Sequence, residues 1–369
     1  MDLIRSISST GYCFRGSRIA IDTSLSVLNR KTGKSEVETK AYMVNNTFMS
    51  RYQNFGLGIA LLAFAEFPAL LFADEAKYQP LPAIEHPADN PWSEEKHQLG
   101  KMLFFDPRLS GNNRMSCATC HNPSLGWSDR LPRTLGRDQR ELGRNSPSII
   151  NSGYFGKQFW DGRADSLEEQ ALVPIMGPTE MDQNLNKLEE ELKAIPDYYR
   201  KFKKVFGASG VTAENIAKAL ATFERSVVSR NSPYDQYQQG DVSSLSKSAL
   251  RGMKIFFGKG QCARCHQGPV FTDSRFYNIG LKPLKGRMPD LGRFKITERK
   301  EDKWVFRTPG LRDISRTSPY MHDGRFKTLE EVIDFFDRGG DPLPNKSLFL
   351  KPLGLKRQEK KDLESFLIA

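Results

Sequence analysis

Cys117-Ala-Thr-Cys120-His121 and Cys262-Ala-Arg-Cys265-His266 decide how this chain is read. Both have the Cys-x-x-Cys-His pattern of c-type haem attachment. Two thiols at this spacing add to the two vinyl groups of one porphyrin. The histidine that follows then lies beneath the iron as its proximal ligand. The expected cofactors are therefore two covalently bound haem c groups, with His121 and His266 on the irons. Other uses of the cysteines fit less well. A zinc ribbon places its two pairs about 15–20 residues apart, and here the gap is far longer. Two small Cys-x-x-Cys disulfide loops would staple little of the chain. A thioredoxin-like pair has no need of the following histidine. The fifth cysteine, Cys13, lies in the N-terminal leader.

A repeat surrounds the two motifs. Gly100-Lys-Met-Leu-Phe-Phe105 precedes the first, and Gly252-Met-Lys-Ile-Phe-Phe257 precedes the second. Each reads as the end of an amphipathic helix leading into a haem segment, so two tandem haem domains are expected. Thr212 caps a predicted helix with Ile216, Leu220, Phe223 and Val227 on one face. Pro233, Gly240 and the serine-rich 243–248 stretch suggest a linker region. No long run alternates with the two-residue period of strands. The expected fold is all-α: two cytochrome c-like domains with long loops, covering 74–235 and 236–369.

The 369 residues include 27% charged and 11% aromatic residues, which excludes wholesale disorder. Residues 56–73 form the one strongly apolar run. Arg51 precedes it, and Glu66 and Pro68 interrupt it. With 49–55 it reads as a secretory signal peptide, an uncleaved anchor being the alternative. Residues 1–48 then form an upstream extension, either a misplaced start or a pro-segment. Removing 1–73 leaves 47 Lys+Arg against 39 Asp+Glu, a net charge of +8. That balance suits solubility or docking to an acidic protein partner. No basic stripe with interleaved aromatics points to nucleic acid. The mature chain is expected to be periplasmic, without a stable membrane span.

Further motifs carry a family resemblance over most of 92–369. They are Phe159-Trp160-Asp161-Gly162-Arg163, Gly177-Pro178-Thr179-Glu180-Met181, Arg307-Thr308-Pro309-Gly310-Leu311-Arg312 and Pro319-Tyr320-Met321-His322-Asp323-Gly324. With the two haem motifs, the chain resembles the bacterial di-haem cytochrome c peroxidases and their MauG-like members. The resemblance implies reductive cleavage of hydrogen peroxide at the N-terminal haem. Electrons would come from a small redox protein through the C-terminal haem. It implies Glu180 as the distal acid/base and Gln170 as the distal glutamine. A carboxylate suits O–O cleavage, which takes a proton from one oxygen and delivers it to the other. A solvated loop charge is the plainer reading of Glu180. Trp160 matches the tryptophan between the haems, and a core aromatic would look the same. Asn145, Thr317 and Pro319 match calcium-binding positions, the last two through backbone carbonyls. Ser166-Leu-Glu-Glu169 is a capping-box pattern opening the helix that carries Gln170.

Two departures from the family pattern bear on mechanism. No histidine occurs between His121 and His266, and Arg137 matches the second ligand of the N-terminal haem in classical members. That haem is expected to be open without reductive activation. Thr328-Leu-Glu-Glu331 opens a helix with Leu329, Val332, Ile333 and Phe336 on one face. Phe336 matches the family's distal Met or Tyr on the C-terminal haem, and phenylalanine cannot bind iron. Met321, Met288, Tyr320 and Tyr277 are alternative ligands, and His322 is expected near the haem in a structural role. The readings left open are a peroxidase, a MauG-like enzyme that oxidises a partner's Trp or Tyr, and a non-enzymatic di-haem carrier or redox sensor.

Overall fold

The computed structural model describes residues 81–369 and, before them, one short strand pair. That pair, Val27–Leu28 (β1) with Ser35–Glu36 (β2), belongs to a separate unit, Met1–Ala69. The expected signal peptide and most of the upstream extension lie outside the described residues.

From Leu81 on, the chain is helix-rich. In order come α1 (Glu94–Phe104), α2 (Cys117–Cys120), α3 (Leu167–Met176), α4 (Leu185–Lys193), α5 (Pro196–Phe206) and α6 (Ala213–Ser226). Then follow α7 (Pro233–Gln238), α8 (Lys247–Phe257), α9 (Phe294–Thr297), α10 (Leu329–Asp337) and α11 (Arg357–Ile368). One further strand pair, β3 (Phe276–Tyr277) with β4 (Phe306–Arg307), and eight short 3₁₀ turns complete the regular structure among the described residues.

The helix starts follow capping chemistry. Thr212 Oγ1 accepts from Asn215 N at 3.1 Å, and Ser166 Oγ accepts from Glu169 N at 3.0 Å. At α10, Thr328 Oγ1 accepts from Glu331 N while Glu331 Oε2 accepts from Thr328 N, both at 3.2 Å. Each cap satisfies amides that the first helical turn leaves free.

Two helix pairs build two cores. α1 crosses α6 at Gly100, where a Cβ would stand 1.9 Å from the carbonyl oxygen of Ala219. α8 crosses α11 at Gly252, where a Cβ would stand 1.9 Å from the carbonyl oxygen of Asp362. Only glycine lets the backbones approach so closely. Rings flank each crossing in the same pattern. Phe104 lies 5.0 Å from Phe223 and 5.8 Å from Trp127. Phe256 lies 5.3 Å from Phe366 and 5.9 Å from Phe271. The hexapeptide repeat thus marks one strip of a larger repeat, whose second helices lie more than a hundred residues further along the chain.

The expected linker region is more ordered than its composition suggests. Ser232 and Asp235 cap α7 reciprocally, Ser232 Oγ accepting at 3.2 Å and Asp235 Oδ2 at 2.9 Å. Asp235 also holds Arg312 in a buried two-point ion pair, at 2.7 and 2.8 Å. The expected boundary at 235/236 falls inside α7. The first core ends at Val227, and Tyr234 packs into the second.

Candidate haem and peroxide site

Each Cys-x-x-Cys-His segment packs against one of the two cores. In both, the thiols are free and no disulfide joins them. Burial keeps all four protonated, pushing Cys120 and Cys262 up to about 12 and the other two in the same direction. His266 Nδ1 lies 2.9 Å from the carbonyl oxygen of Phe271, and His121 Nδ1 lies 3.3 Å from that of Trp127. An Nδ1–H donated to a carbonyl leaves Nε2 as the nitrogen free for a metal. Burial lowers the pKa of both rings, so both are neutral at pH 7. The second segment faces a cavity of about 280 Å³. Leu329, Val332, Ile333 and Phe336 of α10 supply one apolar wall, the face read from the sequence. Paired free thiols, a neutral imidazole with one committed nitrogen and an apolar cavity fit a haem.

Glu180 lies in the turn after α3, with its backbone N–H donating to Gly177 O at 2.9 Å. Its side chain folds back over Gly177, and its charge is felt at Cys120 of the first segment. Burial raises its carboxyl pKa, and Arg163 partly offsets that. A solvated loop charge would carry no such desolvation. Gln170 sits on α3 itself, the helix that the Glu180 turn follows. Glu168 anchors α3 to α6 through Arg225, at 2.6 and 2.9 Å. Arg137 donates its backbone N–H to Thr179 O at 3.0 Å and pairs its guanidinium with Asp182. The residue at the family's second-ligand position therefore braces the Glu180 turn from both sides.

Trp160 donates Nε1–H to Asn145 O at 3.0 Å. Its ring stands edge-on to His322 at 6.5 Å, and His322 stacks on Phe306 at 3.8 Å. Burial lowers His322 to about 4, so its ring is neutral. Asn145, Thr317 and Pro319 line the same cavity as Trp160. Asn145 Nδ2 donates to Leu131 O at 2.7 Å, which leaves Oδ1 as its free oxygen donor. Among the described residues, no group of three or more His, Cys, Asp or Glu side chains gathers to hold a metal.

Phe336 lines the second cavity, as do Tyr277, Tyr320 and Met321. Met288 does not. It is 94% exposed and borders a different hollow near Arg133 and Asp323. Sequence reasoning missed Glu224, which is buried on α6. Burial raises its carboxyl to about 8, and Oε2 has no hydrogen-bond partner. The larger repeat could have found it. Glu224 follows Phe223 as Leu367 follows Phe366, and Leu367 lines the second cavity.

Comparison with known proteins identifies the family. The family model for di-haem cytochrome c peroxidase matches residues 94–243. The methylamine utilization protein MauG of Methylorubrum extorquens is 43% identical over 300 residues, covering 80% of this chain and 84% of that one. The cytochrome c551 peroxidase of Nitrosomonas europaea is 38% identical over 283 residues, covering 76% and 83%. A crystal structure of a MauG-like protein associated with microbial copper homeostasis superposes with a TM-score of 0.74 at 35% identity, covering 79% of this chain and 93% of that one. The chain belongs to the di-haem cytochrome c peroxidase family, which includes MauG, and it is an oxidoreductase. No helix among the described residues is long and apolar enough to cross a membrane.

Proposed function

We propose that the chain is an exported di-haem c-type oxidoreductase that reduces hydrogen peroxide at the N-terminal haem. Electrons come from a protein partner through the C-terminal haem. The observation that carries this reading is Glu180, a desolvated carboxyl beside the first haem segment. The haem irons, held through Cys117, Cys120 and His121 and through Cys262, Cys265 and His266, supply the redox chemistry when bound.

The chain's own residues manage the proton and the geometry. A carboxyl with a raised pKa exchanges protons more readily near neutral pH than an exposed one. Glu180 takes the proton from one peroxide oxygen and returns it to the other. Gln170 offers an amide donor from α3. Trp160, fixed by its hydrogen bond to Asn145, carries charge between the two haems. Asn145 Oδ1 and the carbonyls of Thr317 and Pro319 would hold a calcium ion, if one binds. Arg137 pairs its guanidinium with Asp182, so it does not compete with peroxide for the first iron. The mature chain works in the periplasm.

Phe336 and the 43% identity to a MauG protein favour a second version. In it, the electrons come from a Trp or Tyr side chain of the partner. Without a Met ligand, the second haem lacks one source of high potential.

The test is Glu180→Gln in the haem-loaded protein. The rate of the haem absorbance change with peroxide is expected to fall by about 10²–10⁴-fold. An unchanged rate would remove Glu180 from the mechanism.

A further inference from the structure

Tyr277, Asp273 and Phe349 have no part in the steps above. Tyr277, on β3, lines the second cavity, as does Cys265. Its hydroxyl donates to Asp273 Oδ2 at 2.7 Å. Phe349 stands edge-on to Tyr277 at 6.4 Å and is 49% exposed. Arg264, from within the second Cys-x-x-Cys, lies over Phe349 at 5.5 Å. Packed groups therefore run from the second haem cavity through Tyr277 to the surface.

The chemistry of a phenol gives this arrangement a meaning. Oxidised tyrosine is a strong acid, so at neutral pH the electron leaves easily only when the proton has somewhere to go. A carboxylate already hydrogen-bonded to the hydroxyl is such an acceptor. Burial and the Asp273 charge push the Tyr277 phenol up to about 12, which keeps it protonated until it is oxidised. A phenol so committed is also a poor iron ligand. Other tyrosines among the described residues lack the combination. Tyr320 lines the cavity but gives its hydroxyl to the Ile314 carbonyl at 3.2 Å, which accepts no proton. Tyr198 donates to Asp106 at 2.6 Å, but it lies in the first core, and Arg108 already occupies that carboxylate.

We propose that Tyr277 is a redox relay between the second haem and the electron donor, with Asp273 as its proton acceptor. The inference rests on the reading that peroxide oxidises the haem pair. One electron leaves Tyr277 for the oxidised haem, and the phenolic proton moves to Asp273 Oδ2. A neutral tyrosyl radical and a protonated Asp273 result. The donor then returns one electron to Tyr277, and the proton moves back from Asp273. Per cycle, one electron passes from donor to haem, and Tyr277 and Asp273 are unchanged.

The test mixes the haem-loaded full-length protein with one equivalent of hydrogen peroxide and no donor, then freezes it for electron paramagnetic resonance. The expected result is an organic-radical signal that narrows when tyrosine is ring-deuterated. The signal is lost in Tyr277→Phe and suppressed in Asp273→Asn. Haem absorbance is recorded in the same samples. No absorbance response in the wild type would overturn the peroxide reading and the relay with it. A response without a tyrosyl signal, or with one that survives Tyr277→Phe, would overturn the relay alone.

Discussion

The two haem regions share a holder and differ in what they hold towards the reacting side. The shared parts are a glycine crossing, an adjacent Phe pair, a third ring from the returning helix, and an aromatic residue whose carbonyl faces the histidine. Gly100 corresponds to Gly252, Phe104 to Phe256, Phe223 to Phe366, and Trp127 to Phe271. The differences lie elsewhere. The first region carries buried carboxyls at Glu180 and Glu224, and the second carries Phe336 and Leu367. What repeats serves to bind and orient. On the proposed function, what does not repeat sets the chemistry, with proton handling at the first site and electron exchange at the second.

The largest expected effect breaks this contrast at its polar end, in Glu180→Gln, whose loss of peroxide reactivity is given above. No substitution at Leu367 or Phe336 is expected to slow the peroxide step comparably, and stopped-flow absorbance checks both. Next comes the apolar end. Phe336→Met places a thioether on the cavity wall facing the second haem. The expected outcome is conversion of that haem to low spin and a higher reduction potential, read by redox titration. An unchanged spectrum would mean that position 336 does not face the iron.

The shared holder gives a smaller, symmetrical pair of effects. Gly100→Ala and Gly252→Ala each force apart backbones that now touch. Each is expected to destabilise the protein by roughly 1–3 kcal/mol or more, with denaturant melts as the check. A crossing that tolerates alanine at one site alone would show that the repeat is imperfect there.

A further effect is a pH dependence specific to the first region. Glu224 is raised from 4.5 to about 8 in the folded protein. Between those values the unfolded chain has lost the proton and the folded chain keeps it, so stability falls as pH rises. Glu224→Gln is expected to remove that fall. Its melting temperature relative to wild type should rise from pH 4.5 to pH 8. A constant difference across that range would place the ionisation of Glu224 elsewhere.

Much of this was legible because covalent chemistry imposes short spacings. Cys-x-x-Cys-His must be contiguous, and an N-cap acts within its own first turn, so Thr212, Ser166 and Thr328 announced their helices. The α10 face was readable for the same reason, since Leu329, Val332, Ile333 and Phe336 follow helical spacing. Glu224 and the Tyr277–Asp273–Phe349 sequence were not legible as a set. Glu224 takes its character from burial, and Phe349 reaches Tyr277 only through the fold. The α7 segment was missed because its serine and proline read as linker chemistry, while the Asp235–Arg312 ion pair that ties it down depends on a partner distant in sequence.

The most direct test of the central claim is the low-temperature electron paramagnetic resonance spectrum of the oxidised haem-loaded protein, before and after one equivalent of hydrogen peroxide. The account predicts a high-spin ferric signal from the first haem that disappears on adding peroxide, with no prior reduction. Two low-spin haems, unresponsive until one is reduced, would contradict it.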